Sequence, residues 1–534
     1  MEEREYVHKL EPFSHQLQSW RRTRDDEIAA LFPEMGTGKT KIVIDTAAWL
    51  YLNGQIDSML VIAPKGLYYI WQDEEIPLHF PDQVPYEVVT WESSARVAAK
   101  RRQAEFVASK VKGKLSILVM NVEALVSKRA EKYAHEFLTG RHTMIVIDES
   151  TCVKNPRAKT TRACMRLGKR VRYRRIMSGD PAANSPLDLF SQTNFLEPGI
   201  LGYTTFTAFR ADFANVVMIP NPRAKGYMKE FPKVVGYKNL DVLTKKLEKF
   251  SVIIKQKDCL DLPPKQYLTR TFDISKEQRA AYKDLTQNAL AVIDSQVASG
   301  EGNAKVENEI KQDILGTVGD TAILEQLLED VKAGRSQHFV LAQLVITQMI
   351  RQQQIACGFA VDEDGTVLKF KDQPRLDMLL AVLSEIGSEQ AVIWAPFRPA
   401  IAMVADKLRE KGDADRVVEY HGGVTQEDRR TNKKKFQDGE ADWFIGNPQT
   451  ARFGLTLTAA RYAIYYANSW KPEHRTQSED RIYRISQTRS VIIVDIVARD
   501  TQDVRIVRAL RNKKKLSQMV TPSNWKAMLR GEIS

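Results

Sequence analysis

Between about residue 28 and residue 200, short apolar runs alternate with longer amphipathic segments, the pattern of parallel strands joined by helices. The runs predict strands at Met59–Ala63, Ile117–Met120, Met144–Ile147 and Arg175–Ser178. A second series near the C-terminus predicts strands at Ala391–Trp394, Val417–Tyr420, Trp443–Gly446, Tyr462–Tyr466 and Val491–Val497. Two α/β lobes with parallel sheets follow from this alternation. The block between them has a different period. Tyr282, Leu285, Ala289 and Val292 recur at helical spacing, and Leu341 to Gln354 runs without a breaker, so helix is expected there. Within that block Ser299-Gly-Glu-Gly-Asn303 reads as a loop. The division expected is a first lobe at 1–200, a linker and mainly helical insertion at 201–372, a second lobe at 373–500 and a C-terminal helical tail at 501–534.

Length agrees with this, because 534 residues at ~100–200 per domain make two to four units. The balance of 79 Lys+Arg against 67 Asp+Glu gives a net charge of +12, which favours a polyanionic partner. None of the four cysteines, Cys152, Cys164, Cys259 and Cys357, stands in the close pair that clamps zinc or closes a redox disulfide, so a reducing cytosol is expected and a structural metal is not. The N-terminus is charged, and no run approaches the ~18 apolar residues of a membrane span. The reading at this point is a soluble, intracellular protein with no membrane partner.

The strongest local chemistry lies in Glu34-Met-Gly-Thr-Gly-Lys-Thr40, followed by the apolar-periodic Ile42-Val-Ile-Asp-Thr-Ala47. Gly36 and Gly38 let the backbone N–H groups around Thr37 curl about a phosphate, Lys39 neutralises its oxygens, and Thr40 offers a hydroxyl to Mg²⁺ at a helix N-terminus. The full pattern has Gly where this chain has Pro33. The second half of such a site is Met144-Ile-Val-Ile-Asp-Glu149, an apolar strand ending in two carboxylates. Asp148 suits Mg²⁺, and Glu149 suits orienting and activating an attacking water.

Taken in order, these motifs resemble the Swi/Snf-type branch of helicase superfamily 2, especially small phage and bacterial members without accessory domains. The resemblance runs from about Phe13 to about Asp503. His15-Gln16 is similar to the upstream glutamine motif, in which Gln16 would read adenine. Ala63-Pro-Lys65 resembles the first nucleic-acid-contacting loop, and Lys154-Asn155 the Lys-Asn that trails the carboxylate strand. Ser178-Gly-Asp-Pro181 with Asn184, Pro186 and Asp188 resembles the coupling motif, with Asp180 in place of Thr. In the second lobe Val392-Ile-Trp-Ala-Pro-Phe-Arg398, His421-Gly422 with Arg429, and Gly454-Leu-Thr-Leu457 match the family's order, with Arg452 in place of a glycine. The closing signature is Gln477-Ser-Glu-Asp-Arg481-Ile-Tyr-Arg484-Ile-Ser-Gln487, where Ser486 replaces a glycine.

The resemblance implies two RecA-like lobes, ATP and Mg²⁺ as cofactors, and DNA-stimulated ATP hydrolysis. Gln477 joins Gln16 and the phosphate loop among the nucleotide-binding candidates. A guanidinium delivered from a second lobe stabilises charge on the γ-phosphoryl group, and Arg484 is the first choice for it, with Arg481 its neighbour on the same helical face. Alone, Asp480, Arg481 and Arg484 also read as i, i+3/i+4 pairs on an exposed helix. Lys65, Lys154, Asn155, Arg398 and Arg452 are the nucleic-acid candidates; the runs Lys433–Lys435 and Lys513–Lys515 read equally as solvated faces. Trp394 and Phe397 are better accounted for by core packing than by base stacking. The function implied is an ATP-dependent double-stranded-DNA translocase that remodels protein–DNA complexes or branched DNA, with a monomer favoured and the cytoplasm of a bacterium or phage-infected host as its place. Two alternatives stay open: a strand-separating helicase, and a low-turnover ATP-binding scaffold that recognises DNA structure.

Overall fold

The computed structural model describes residues 2, 5–65, 67–92, 97–109, 113–182, 185–220, 230–259, 263–298, 339–362, 364–412, 414–450, 455–485 and 487–519. The chain forms two units, Met1–Val217 with Lys233–Leu262, and Met218–Pro232 with Pro263–Ser534. Each is built on its own parallel sheet.

In the first unit the strands are β1 (Ile28–Leu31), β2 (Ser58–Ala63), β3 (Tyr86–Thr90), β4 (Leu115–Asn121), β5 (Thr143–Asp148) and β6 (Tyr173–Met177), with a short β9 (Ser251–Val252) arriving later in the chain. They lie in the order β3-β4-β2-β5-β6-β1-β9, and every neighbouring pair is parallel. β7 (Ala214–Pro220) and β8 (Glu230–Tyr237) form a separate two-stranded ribbon. Successive side chains on a strand point to opposite faces, so a sheet covered on both faces needs apolar residues at every position. β2 and β5 show it. Leu60, Ile62, Ile145 and Ile147 pack in one buried layer, while Met59, Val61, Met144 and Val146 pack in the other. The helix Lys39–Leu52 is buried on nearly every side from Lys41 to Leu50.

The second unit begins its sheet with β10 (Lys265–Phe272). After the β11 (Phe359–Val361) and β12 (Val367–Lys369) hairpin come β13 (Ala391–Trp394), β14 (Val417–Tyr420), β15 (Trp443–Gly446), β16 (Tyr462–Tyr465) and β17 (Val491–Ala498). The order is β10-β17-β16-β13-β15-β14, again parallel throughout. Two buried layers recur, with Ala391 and Ile393 on one face of β13 and Val392 and Trp394 on the other. Trp394 is fully buried, as core packing requires. Arg375 is also fully buried. Its guanidinium donates to the carbonyls of Ala356, Tyr466 and Ile496 and to the Asp503 carboxylate.

The helices Lys276–Ala298 and Phe339–Ala356 fall where helical spacing predicts them. The expected loop Ser299–Asn303 lies outside the described residues, as do Asn184, Gly454 and Ser486. Among the described residues, 201–262 carry three short helices, Phe206–Phe213, Leu240–Leu247 and Gln256–Cys259, together with the ribbon and β9. Among the described residues no helix is long and apolar enough to cross a membrane.

Candidate functional site

Parallel sheets of this type present ligand sites at the C-terminal ends of their strands. Four neighbours in the first sheet, β2-β5-β6-β1, end respectively in Ala63-Pro-Lys65, Asp148-Glu149, Ser178-Gly179 and the loop from Pro33 to Gly38. Residues far apart in sequence thus meet along one edge.

In the phosphate loop Gly36 and Gly38 have φ of 76° and 85°, the left-handed region that glycine enters without steric cost. A Cβ on Gly38 would also stand 2.1 Å from Gln16 Nε2. Gln16 is buried and donates from Nε2 to the Thr37 carbonyl at 3.0 Å, and His15 Nε2 shares the same oxygen at 2.9 Å. The glutamine thus clamps the loop. The Thr37 hydroxyl donates to Glu34 O at 2.7 Å. Lys39 Nζ donates to Pro33 O at 2.9 Å and to Glu34 O at 3.1 Å, holding its charge beside the loop's own carbonyls. Pro33 contributes a carbonyl that any residue would supply. Its missing N–H is not needed on the β9 side either, because Ala30, Phe32 and Glu34 make that ladder and skip position 33. Glu34 is tied further by Gln256, whose N–H donates to Glu34 Oε2 at 2.8 Å.

Asp148 ends β5 with both oxygens engaged. Oδ2 accepts from Trp71 Nε1 at 2.8 Å, and Oδ1 accepts from Glu149 N at 2.9 Å. Burial pushes its carboxyl up to about 6; the Trp71 hydrogen bond and the Lys39 charge oppose that rise, and the Glu149 charge adds to it. Glu149 has φ of 50°, and its Oε1 accepts from the Ser178 hydroxyl at 2.9 Å and the Thr151 hydroxyl at 2.8 Å. Gly179 packs against the phosphate loop, since a Cβ there would stand 2.6 Å from Met35 Cγ and 3.5 Å from Lys39 Nζ. Asp180, at the position where Thr is expected, places its N–H 3.2 Å from Ser178 Oγ. Thr40, in the first turn of the helix Lys39–Leu52, and Asp148, at the end of β5, each offer a hard oxygen at this edge of the sheet. Such oxygens fit Mg²⁺, which takes one or two carboxylates and completes its shell with phosphate and water.

The second unit corrects one expectation. The helix that carries Gln477 is Pro472–Glu479; it ends before Arg481, and Arg481 to Ile485 form turns with i−3 bonds such as Arg481 N to Ser478 O at 3.3 Å. Arg481 is buried and folds back, Nε to Gln477 O at 2.9 Å and Nη1 to Leu455 O at 3.4 Å. Arg484 Nη1 donates to Thr456 Oγ1 at 2.8 Å and lies 3.4 Å from Leu455 O. The two arginines therefore share a carbonyl in a loop and do not line an exposed helix. Gln477 is buried, and its Oε1 has no hydrogen-bond partner among the described residues.

The polyanion candidates divide. Lys65 is exposed, with its N–H on Glu123 Oε2 at 3.1 Å. Lys154 pairs with Asp188 at 3.4 Å, while Asn155 Oδ1 caps the N–H of Arg157 at 2.9 Å. Arg398 opens the helix Arg398–Lys411 and lies against His421-Gly422, where a Cβ on Gly422 would stand 3.0 Å from its Nη2. Arg452 lies outside the described residues. Lys433–Lys435 lie on the helix Gln426–Gln437, where Lys434 meets Asp438 at 3.6 Å; the side chains of Lys513–Lys515 are not described. Sequence reasoning missed Trp71, Glu123 and Gln256. Only the position of Trp71, just beyond the Ala63-Pro-Lys65 loop, could have drawn notice to it.

Comparison with known proteins gives this arrangement a lineage. The SNF2-related domain family matches residues 16–325, more than half of the chain, and the helicase conserved C-terminal domain matches residues 374–486. The TATA-binding protein-associated factor mot1 of Aspergillus fumigatus is 26% identical over 385 residues, covering 69% of this chain and 19% of its own length. The DNA annealing helicase and endonuclease ZRANB3 of Bos taurus is 24% identical over 513 residues, covering 95% of this chain and 40% of its own. A solved Sulfolobus solfataricus SWI2/SNF2 ATPase core in complex with dsDNA is 20% identical, with 97% of this chain and 95% of that chain covered and a TM-score of 0.38. The chain spans about a fifth to two fifths of the length of these curated relatives. With its two RecA-like lobes, phosphate loop and carboxylate pair, the chain belongs to the SNF2-related family of helicase-like ATPases.

Proposed function

We propose that this protein is an ATP-dependent translocase on double-stranded DNA that remodels protein–DNA complexes or branched DNA. The observation that carries the reading is the shared sheet edge. Lys65, at the end of β2, stands one strand from Asp148 and Glu149 on β5, and Ser178 and the Lys39 loop follow on β6 and β1. A nucleic-acid contact and a hydrolytic site built on adjacent strand ends are mechanically joined. The mot1 and ZRANB3 names, with their TATA-binding-protein association and DNA annealing, support a DNA substrate.

In this reading Lys39 leaves the carbonyls of Pro33 and Glu34 for the β/γ-phosphates of ATP. Thr40 and Asp148 would hold Mg²⁺, which would supply neutralising charge to the phosphate oxygens. Glu149, oriented by Ser178 and Thr151, aligns a water and takes its proton as the water oxygen bonds to the γ-phosphorus and the bond to the ADP oxygen breaks. Arg484 would stabilise the charge on the γ-phosphoryl group, with Arg481 supporting it and Gln16 and Gln477 holding nucleotide. Lys65, Lys154, Asn155, Arg398 and Arg452 contact phosphates of the duplex. Lys39→Ala tests the nucleotide site. It is expected to abolish hydrolysis, and activity persisting within about tenfold of wild type, a barrier change of only ~1.4 kcal/mol, contradicts the assignment.

A further inference from the structure

After β2 the chain leaves Lys65 and, six residues on, reaches the catalytic edge again at Trp71. Trp71 is 1% exposed and opens a π-helical turn, Trp71–Glu75, closed by Ile76 N on Trp71 O. Such turns are rare and are frequently found at functional sites. Both ends of the segment are anchored. The Lys65 N–H donates to Glu123 Oε2 at 3.1 Å, and the Trp71 indole donates to Asp148 Oδ2 at 2.8 Å. Next to Trp71, the Gln72 side-chain oxygen accepts from the Thr90 hydroxyl at the end of β3.

An indole N–H is a donor only, so it selects one orientation of the Asp148 carboxylate and leaves the other lone pair of Oδ2 open to a further partner. The ring is too buried to follow a rotating carboxylate. We propose that Trp71 is a positioning residue that aims Asp148 at Mg²⁺, and that DNA held at Lys65 tightens this aim through Leu67–Trp71, whose first N–H donates to the Pro64 carbonyl beside Lys65 at 2.8 Å. The proposal rests on the translocase reading for its DNA part, and on the assignment of Mg²⁺ to Asp148 together with the Trp71–Asp148 bond for its metal part.

Two substitutions in the full chain test it: Trp71→Phe, and replacement of Trp71 by benzothienylalanine, which keeps the bicyclic shape and lacks only the N–H. The probe is a fluorescent ATP analogue, bound at equilibrium in EDTA and across a Mg²⁺ titration, alongside ATPase rates with and without duplex DNA. In EDTA both variants should bind the analogue as wild type does. The Mg²⁺ concentration for half-maximal binding should rise about tenfold, as for loss of one hydrogen bond to a charged group, and stimulation by duplex should fall. A role confined to packing would leave the benzothienyl variant at the wild-type Mg²⁺ midpoint, and that result overturns the proposal. Wild type that binds and hydrolyses ATP without stimulation by DNA defeats the translocase reading, while the Mg²⁺ midpoints still decide the role of Trp71.

Discussion

Glu149 holds a left-handed backbone at φ 50°, a conformation that costs a non-glycine residue ~1–2 kcal/mol. Ser178 and Thr151 hold its carboxylate, and its own N–H is anchored on Asp148, so the surroundings impose the conformation. Changing Glu149→Gln keeps Asp148 and Thr40, so nucleotide binding should survive while turnover falls by ~10²–10⁴. Binding and turnover measured side by side check this; if both vanish together, Glu149 is not the group that orients water. At this scale the sequence spoke through local spacing. Lys39, Thr40, Asp148 and Glu149 each sit in a run whose neighbours define the chemistry. Trp71 could not be found that way, because its partner Asp148 is 77 residues away and no short pattern encodes that contact. The same holds for Gly179, whose close approach to Met35 and Lys39 exists only after β6 and β1 are laid side by side.

Among elements, strands covered on both faces were legible because they are continuous apolar runs. β5 at Thr143–Asp148 and β13 at Ala391–Trp394 match expectation to within a residue. β10 was not legible. It is the edge strand of its sheet, Lys-Gln-Tyr-Leu-Thr-Arg-Thr-Phe, mostly exposed, and carries too few apolar positions to stand out. β1 was missed for a different reason: Ile-Ala-Ala-Leu is four residues long and its alanines give little contrast. The turn after Glu479 was also hidden, since Asp480 to Arg484 has helical spacing, and the folding back of Arg481 onto Gln477 and Leu455 depends on a distant loop. Arg484→Ala should leave ATP affinity and DNA binding nearly intact while lowering kcat by up to ~10³–10⁵, the range for a transition-state arginine. An unchanged kcat in saturating DNA would return Arg484 to a structural part in its loop. The second sheet offers a separate test of stability. Arg375→Met removes the guanidinium that joins Asp503 to the carbonyls of Ala356 and Ile496, leaving a buried carboxylate without its cation. A loss of ~3–5 kcal/mol is expected in denaturant unfolding of the second unit. A change below about 1 kcal/mol would mean that the pair contributes little.

For the whole molecule, the net charge of +12, with Lys65 just past β2 and Arg398 at the start of its helix, suits a polyanionic partner. Binding to duplex should weaken with salt, with log K falling by roughly 0.9 per unit of log salt for each phosphate neutralised, and with little base preference. Moving along paired DNA does not require disrupting ~1.4 kcal/mol of stacking at each base-pair step, whereas separating strands does. The most direct measurement compares ATPase stimulation by duplex, single-stranded, forked and four-way DNA, alongside displacement of a third strand from a triplex and unwinding of a tailed duplex. The account predicts that duplex or four-way DNA stimulates best, that the triplex is displaced, and that the tailed duplex stays paired. Stimulation greatest with single strands, together with robust unwinding of the tailed duplex, would contradict it in favour of a strand-separating helicase.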